Sequence, residues 1–259
     1  MNTIKQITTK KNDMSIIKRF IVLFVMLLLS ACTGSIESQK ASDANAELGV
    51  RYLQQGRLKL ANEKLLKSLS QNPNSVISNH YFALLQERLE QNQEANKYFQ
   101  KAISLRPENP EIRNNYGSFL CKTNRPQAAV SQFLAAVKDP LYSTPEFAYT
   151  NAGICLRKAS RTNDAQAETY FRLALKKRSS FPSALLQMAK LYQDRKNYPK
   201  AYAFMSRYES VGKSSPEALK LCATINVKMG DNAKAQSCRS TLLRLFPSSP
   251  EAEQISRSL

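Results

Sequence analysis

Five cysteines and one histidine are the side chains of this 259-residue chain best suited to do chemistry. Cys121, Cys155, Cys222 and Cys238 lie in the body of the chain. An even set of cysteines in an exported chain pairs as disulfides, here in one of three connectivities. The same four thiols can otherwise serve as small buried apolar residues. His80 stands alone, so no second imidazole is available to share a metal, and no HExxH or Ser-His-Asp pattern surrounds it. There are 7 glycines and no Gly-rich phosphate loop. Carboxylates such as Asp194 and Glu209 read as ordinary surface charge. The sequence therefore predicts no catalytic residue, no metal ligand set and no cofactor.

The fifth cysteine belongs to a different kind of segment. Lys18 and Arg19 precede ten apolar residues, 20–29, and the stretch closes on Leu29-Ser30-Ala31-Cys32. A basic start, a short apolar run and small residues before a cut make an export signal, expected over 1–31. Met14-Ser-Ile-Ile-Lys-Arg is a sufficient basic start by itself, so either Met1 or Met14 can open the chain. The Leu-Ser-Ala-Cys end resembles a bacterial lipobox, which implies lipidation of Cys32 and a membrane anchor of two or three acyl chains. Thr33, rather than Asp, follows the cysteine. That resemblance implies the periplasmic face of the outer membrane. Residues 32–41 are polar without an apolar period and read as a flexible tether. The chain carries a net charge of +18, and loss of 1–31 removes five basic residues and one acid, leaving +14.

The elements that position the remaining cysteines are repeats. The chain has no Trp and few Gly, a helical composition. Tyr116-Gly117, Leu120, Ala129, Phe133 and Ala136 sit at the packing positions of a tetratricopeptide repeat, a helix–turn–helix unit of about 34 residues. The same pattern is expected over 42–75, 76–109, 110–143, 146–181, 182–215 and 216–249, with a closing helix over 250–259. Small residues let the two helices of a repeat approach, and large ones fill the space between repeats. Proline near the end stops the second helix. One such hairpin cannot bury its apolar face, whereas stacked neighbours can. The expected fold is all-α, a right-handed superhelix of about six repeats. The turn of the fourth repeat is two residues longer than the pattern, and Arg239 stands where the sixth repeat should place a large apolar residue.

Such a stack presents a concave groove lined by the first helix of each hairpin. Groove positions in the first two repeats are Ala46, Val50, Leu53, Ile77, Tyr81 and Leu84, an apolar strip of the kind that docks a peptide. The same residues can instead pack the two repeats together. Further along, Asn115, Lys122, Asn151 and Arg157 make the groove amide-rich and basic. Asn offers both donor and acceptor to an extended backbone. Cys121 and Cys155 fall at similar heights on neighbouring first helices, and Cys222 and Cys238 on the two helices of the sixth repeat, so these are the pairings expected.

Two runs then carry a sharper resemblance. They are Asn114-Asn115-Tyr116-Gly117-Ser118-Phe119-Leu120-Cys121 and Asp139-Pro140-Leu141-Tyr142, continuing through Thr144-Pro145-Glu146 to Asn151-Ala152-Gly153-Ile154-Cys155. Together with the lipobox and six repeats they resemble the type IV pilus biogenesis lipoproteins of the PilF/PilW family. The resemblance implies a pilotin, which escorts a pilus secretin subunit to the outer membrane and promotes its multimerisation. The chain is expected to be a monomer by itself that holds a protein partner and meets the membrane through its lipid; the export signal and the lack of a stacking-aromatic platform argue against nucleic acid. The alternatives are a periplasmic repeat adaptor for cell-wall enzymes or for outer-membrane assembly machinery, and a basic binder of anionic polymer or lipid, suggested by the charge of +14.

Overall fold

The computed structural model describes residues 37–257, which are helical apart from turns and short connections. They fall into two compact units divided after Pro107. The first holds α1 (37–54), α2 (Leu58–Gln71), α3 (Val76–Arg88) and α4 (Asn92–Leu105). The second holds α5 (Pro110–Lys122), α6 (Pro126–Ala136), α7 (Pro145–Ala159), α8 (Asp164–Lys177) and α9 (Pro182–Asp194). It continues with α10 (Tyr198–Glu209), α11 (Pro216–Met229), α12 (Asn232–Leu245) and the short α13 (Pro250–Ser256). The fold is all-α and of the tetratricopeptide type.

The hairpins owe their form to local chemistry. Proline occupies the first turn of α5, α6, α7, α9, α10, α11 and α13, where its missing N–H costs nothing. Ser75, Asn109, Ser215 and Ser249 cap first helices by accepting a backbone N–H three residues on. Between the helices of a hairpin the chain reverses through one left-handed residue. Gly56, Glu90, Asn124, Lys196 and Gly230 all have φ between 57° and 81°. The first three are 34 residues apart, and so are the last two. The fourth hairpin breaks the series: its extra residues form a 3-10 turn, Arg161–Asn163, instead.

Close approach within a hairpin depends on absent side chains. A methyl at Gly117 would lie 2.7 Å from the Phe133 ring, and one at Gly153 would meet Phe171. Leu65, Phe99, Phe133 and Phe171 recur in the second helices and are fully buried. Burial of each contributes on the order of 2 kcal/mol. The sixth hairpin departs as its sequence foretold. Arg239 is only partly buried, and Leu242 and Cys238 fill the interior instead.

The tether is shorter than the sequence suggests. The leader over 1–31, Cys32 and residues 33–36 lie outside the described residues, but Glu37 to Ala41, assigned to the tether, are helical. Polar contacts rather than an apolar stripe hold them. Ser38 Oγ donates to the Gln71 carbonyl (2.9 Å), and Asn72 Nδ2 donates to Gln39 Oε1 (2.6 Å). Just beyond, fully buried Ser42, Ser68 and Ser78 form a hydroxyl ladder across α1, α2 and α3, with steps of 2.9 and 2.6 Å. A search for apolar period cannot see a helix docked through serines.

Candidate functional site

In the first unit, the strip expected to line a groove is mostly interior. Leu53 is 4% exposed and packs with Ala61, Leu65, Phe82 and Leu85. Tyr81 and Leu84 lean on the same cluster, and Ala46 is fully buried. Ala46 and Leu53 are thus core residues, not lining. The cause is periodicity: the face of α1 that would meet a guest also closes on α2 and α3. Val50 is half-buried, while Ile77, at the start of α3, remains 48% exposed. Arg88 Nη1 donates to the Leu53 carbonyl (2.9 Å), fastening the end of α3 to the end of α1. Buried His80 lies 4.9 Å from the Tyr81 ring and 6.3 Å from Phe99. Burial lowers its pKa to about 4, so the ring is neutral at pH 7.

In the second unit the expected groove residues separate into two kinds. Asn115 and Asn151 are half-buried and Lys122 is exposed. Asn151 Nδ2 donates to Asn114 Oδ1 (3.2 Å), joining the first helices of neighbouring hairpins. Arg157 is different: its side chain is 7% exposed and sits between two carboxylates. Its Nε meets Asp164 at 2.8 Å, its Nη2 meets Asp194, and Arg161 joins the same Asp194 oxygen at 2.6 Å. Arg157 therefore fastens α7 to α8 and α9 and is not available to a guest. Asp194, read from the sequence as surface charge, is half of that fastening.

The expected pairs of cysteines are joined by bonds in this unit. Cys121 links to Cys155 across α5 and α7, with Cα atoms 5.6 Å apart, and Cys222 to Cys238 across α11 and α12 at 6.1 Å. A second polar cluster holds α8, α9 and α10. Burial works to raise the Glu168 pKa, but hydrogen bonds from Tyr192, Arg172 and Arg195 outweigh it and hold the carboxylate at about 2.

An open, partly apolar feature lies between α6 and α7, in the run Asp139-Pro140-Leu141-Tyr142. Asp139 Oδ1 accepts the Leu141 N–H (2.8 Å), an Asx turn that fixes the loop. Leu141 is held outward, 88% exposed. Phe147 follows at the start of α7, 44% exposed, its ring edge-on to Phe181 at 4.7 Å. Between them runs a cleft of about 460 Å³, walled by Asn109, Glu111, Asn114, Tyr142 and Thr144. Burial raises the pKa of Tyr142, keeping its phenol protonated. Nothing here is a nucleophile with an adjacent base. The arrangement offers apolar contact beside amide and hydroxyl groups, which suits binding of a polypeptide. In sequence this loop stands out as a motif and not as a surface. An apolar residue between an Asx-turn aspartate and a proline-started helix was the available signal.

The chain resembles known proteins along most of its length. A tetratricopeptide repeat family model matches residues 82–143. The type IV pilus assembly protein PilF of Pseudomonas aeruginosa is 28% identical over 242 residues, covering 89% of this chain and 95% of that protein. The crystal structure of PilW, described as a widely conserved type IV pilus biogenesis factor, superposes with a TM-score of 0.74 at 28% identity, covering 83% of this chain and 97% of the other. A structure of Pseudomonas aeruginosa PilF gives 0.75 at 27% identity, with 86% and 100% covered. This chain is a tetratricopeptide-repeat protein homologous to PilF and PilW.

Proposed function

We propose that this protein is an outer-membrane lipoprotein of type IV pilus biogenesis that acts as a pilotin. It binds the pilus secretin subunit, carries it to the membrane and promotes its assembly into a ring. One observation carries the reading: the near end-to-end match to PilF, 89% of this chain against 95% of that one. Leader, lipidated Cys32 and repeats then have one purpose, which is to bring a bound polypeptide to a membrane. No catalytic step is needed; binding masks surface that would otherwise self-associate, and anchoring raises the local subunit concentration.

Leu141 and Phe147 are the docking residues we assign to the second unit, and Ile77 to the first. Leu53 and Leu84 are poor probes, because a charge there would enter the core. The test is co-purification of the secretin subunit with Leu141→Asp/Phe147→Asp protein from cells. A loss of tenfold or more, with helicity retained, is about 1.4 kcal/mol or greater and is the expected result. Full retention of the secretin by both this variant and Ile77→Asp would reject the docking assignment.

A further inference from the structure

The second unit concentrates positive charge in one place. From Arg172 to Arg207 stand nine basic residues and one acid, Asp194, which Arg157 and Arg161 already engage. The contacts show how these cations gather. Arg172 donates to Glu168 Oε1 (2.7 Å) and to the Tyr192 hydroxyl (2.8 Å), and Arg195 engages the other oxygen of Glu168. Arg195 Cζ and Lys200 Nζ lie 5.9 and 5.2 Å from the centre of the Tyr192 ring. That ring stacks on Phe204 at 5.7 Å and 8°. Arg207 sits 5.5 Å over Phe204 and donates to the Ser179 carbonyl (2.8 Å). Lys176 follows Arg172 by four residues and shares its stripe of α8, and Lys177 beside it is exposed at the end of that helix. Four cations thus contact one carboxylate or two stacked rings, with lysines one turn further along α8.

We propose that this face binds the phosphate-bearing surface of an anionic phospholipid bilayer. The rings hold the cationic stems in place, so less freedom is lost when ammonium and guanidinium groups meet phosphates. The face lies on α8, α9 and α10, and its cations are exposed. They are absent from the walls of the Leu141–Phe147 cleft, so a polypeptide guest there and a bilayer here do not compete for the same side chains. Tyr202, on the opposite flank of the exposed arc of α10 from Lys200 and Arg207, is 41% exposed and is not counted in this face. The proposal is independent of secretin binding and would survive its failure.

The test is co-sedimentation of Cys32→Ser protein spanning residues 32–259, which lacks the leader and cannot be acylated, with phosphatidylcholine vesicles containing or lacking phosphatidylglycerol. Association is expected to require phosphatidylglycerol and to weaken steeply with salt. Replacing Lys176, Lys177, Lys200 and Arg207 by Gln is expected to weaken it about tenfold or more. A variant that keeps Arg207 guards against loss of fold and should show most of the effect. Gln at Lys40, Lys59, Lys67 and Lys101 removes the same charge from the first unit and should leave association within about twofold, because the attraction falls off over a Debye length. Equal loss in both variants, no need for phosphatidylglycerol, or equally good competition by soluble polyglutamate would each overturn the proposal.

Discussion

The two units solve the same packing problem with different chemistry. Residues 37–107 carry ten basic and seven acidic side chains, while residues 108–257 carry twenty-three and twelve. The first unit is held by apolar burial, a ladder of buried serines and a neutral buried histidine. The second adds two disulfides, a buried arginine between two aspartates, and a carboxylate shared by two arginines. Serine hydroxyls impose contact geometry without charge. The Cys121–Cys155 bond and the ion pairs of Arg157 with Asp194 and of Arg195 with Glu168 fix neighbouring hairpins against each other, and Cys222–Cys238 closes a single hairpin. The difference teaches that stacking is common to both, while stiffening is local and concentrated where the chain is most basic. It also predicts which unit yields first to acid and which to reductant.

Cutting the covalent tie should give the largest effect. Cys121→Ser/Cys155→Ser opens a loop closed across 34 residues, at a cost of about 4 kcal/mol in the chain-entropy account. Hydrogen exchange should accelerate in α5 to α8 and stay unchanged in α1 to α3. Equal acceleration in both units would erase the comparison. Arg157→Met comes next. It leaves Asp164 and Asp194 without their shared partner and should cost about 3 kcal/mol, read as a lower denaturation midpoint.

Acid should separate the units by sign and window. The folded His80 pKa of about 4 lies below its ordinary value of 6.5. An unfolded chain takes up the proton first, so stability is full above 6.5 and falls as pH drops towards 4. The loss should reach about 3 kcal/mol at pH 4 and disappear in His80→Gln. Glu168, at about 2 against an ordinary 4.5, leaves its cluster intact until pH falls below 4.5. The first unit should therefore loosen between pH 6 and 4 while the α8–α10 cluster holds, as followed by exchange at each pH. The smallest effect sharpens a turn rule common to both. Glu90→Gly and Lys196→Gly relieve a left-handed backbone and should each stabilise by about 1 kcal/mol.

How much of this was legible beforehand follows from what leaves a periodic trace. Hairpins at Gly117/Phe133 and Gly153/Phe171 were visible, because close approach demands a small residue at a fixed interval from a large one. The cysteine pairs followed from the same register. The docked helix over Glu37 to Ala41 was hidden, since Ser38, Gln39 and Ser42 hold it through hydroxyl and amide groups that carry no apolar signature. Leu53 was misplaced because one helix face serves both core and groove, and spacing alone does not say which neighbour closes over it. Arg157 and Asp194 are 37 residues apart, and nothing in either residue's local sequence announces the other. Leu141 was quoted as a motif, yet its exposure depends on the Asx turn at Asp139.

The account rests on this protein delivering a secretin, and cells lacking its gene put that to the test most directly. Outer-membrane fractions would be probed for heat-resistant secretin multimers and for monomer. Multimers are expected to vanish while monomer persists, and to return with wild-type protein but not with Leu141→Asp/Phe147→Asp. Multimers at normal abundance in the deletion strain would contradict the account.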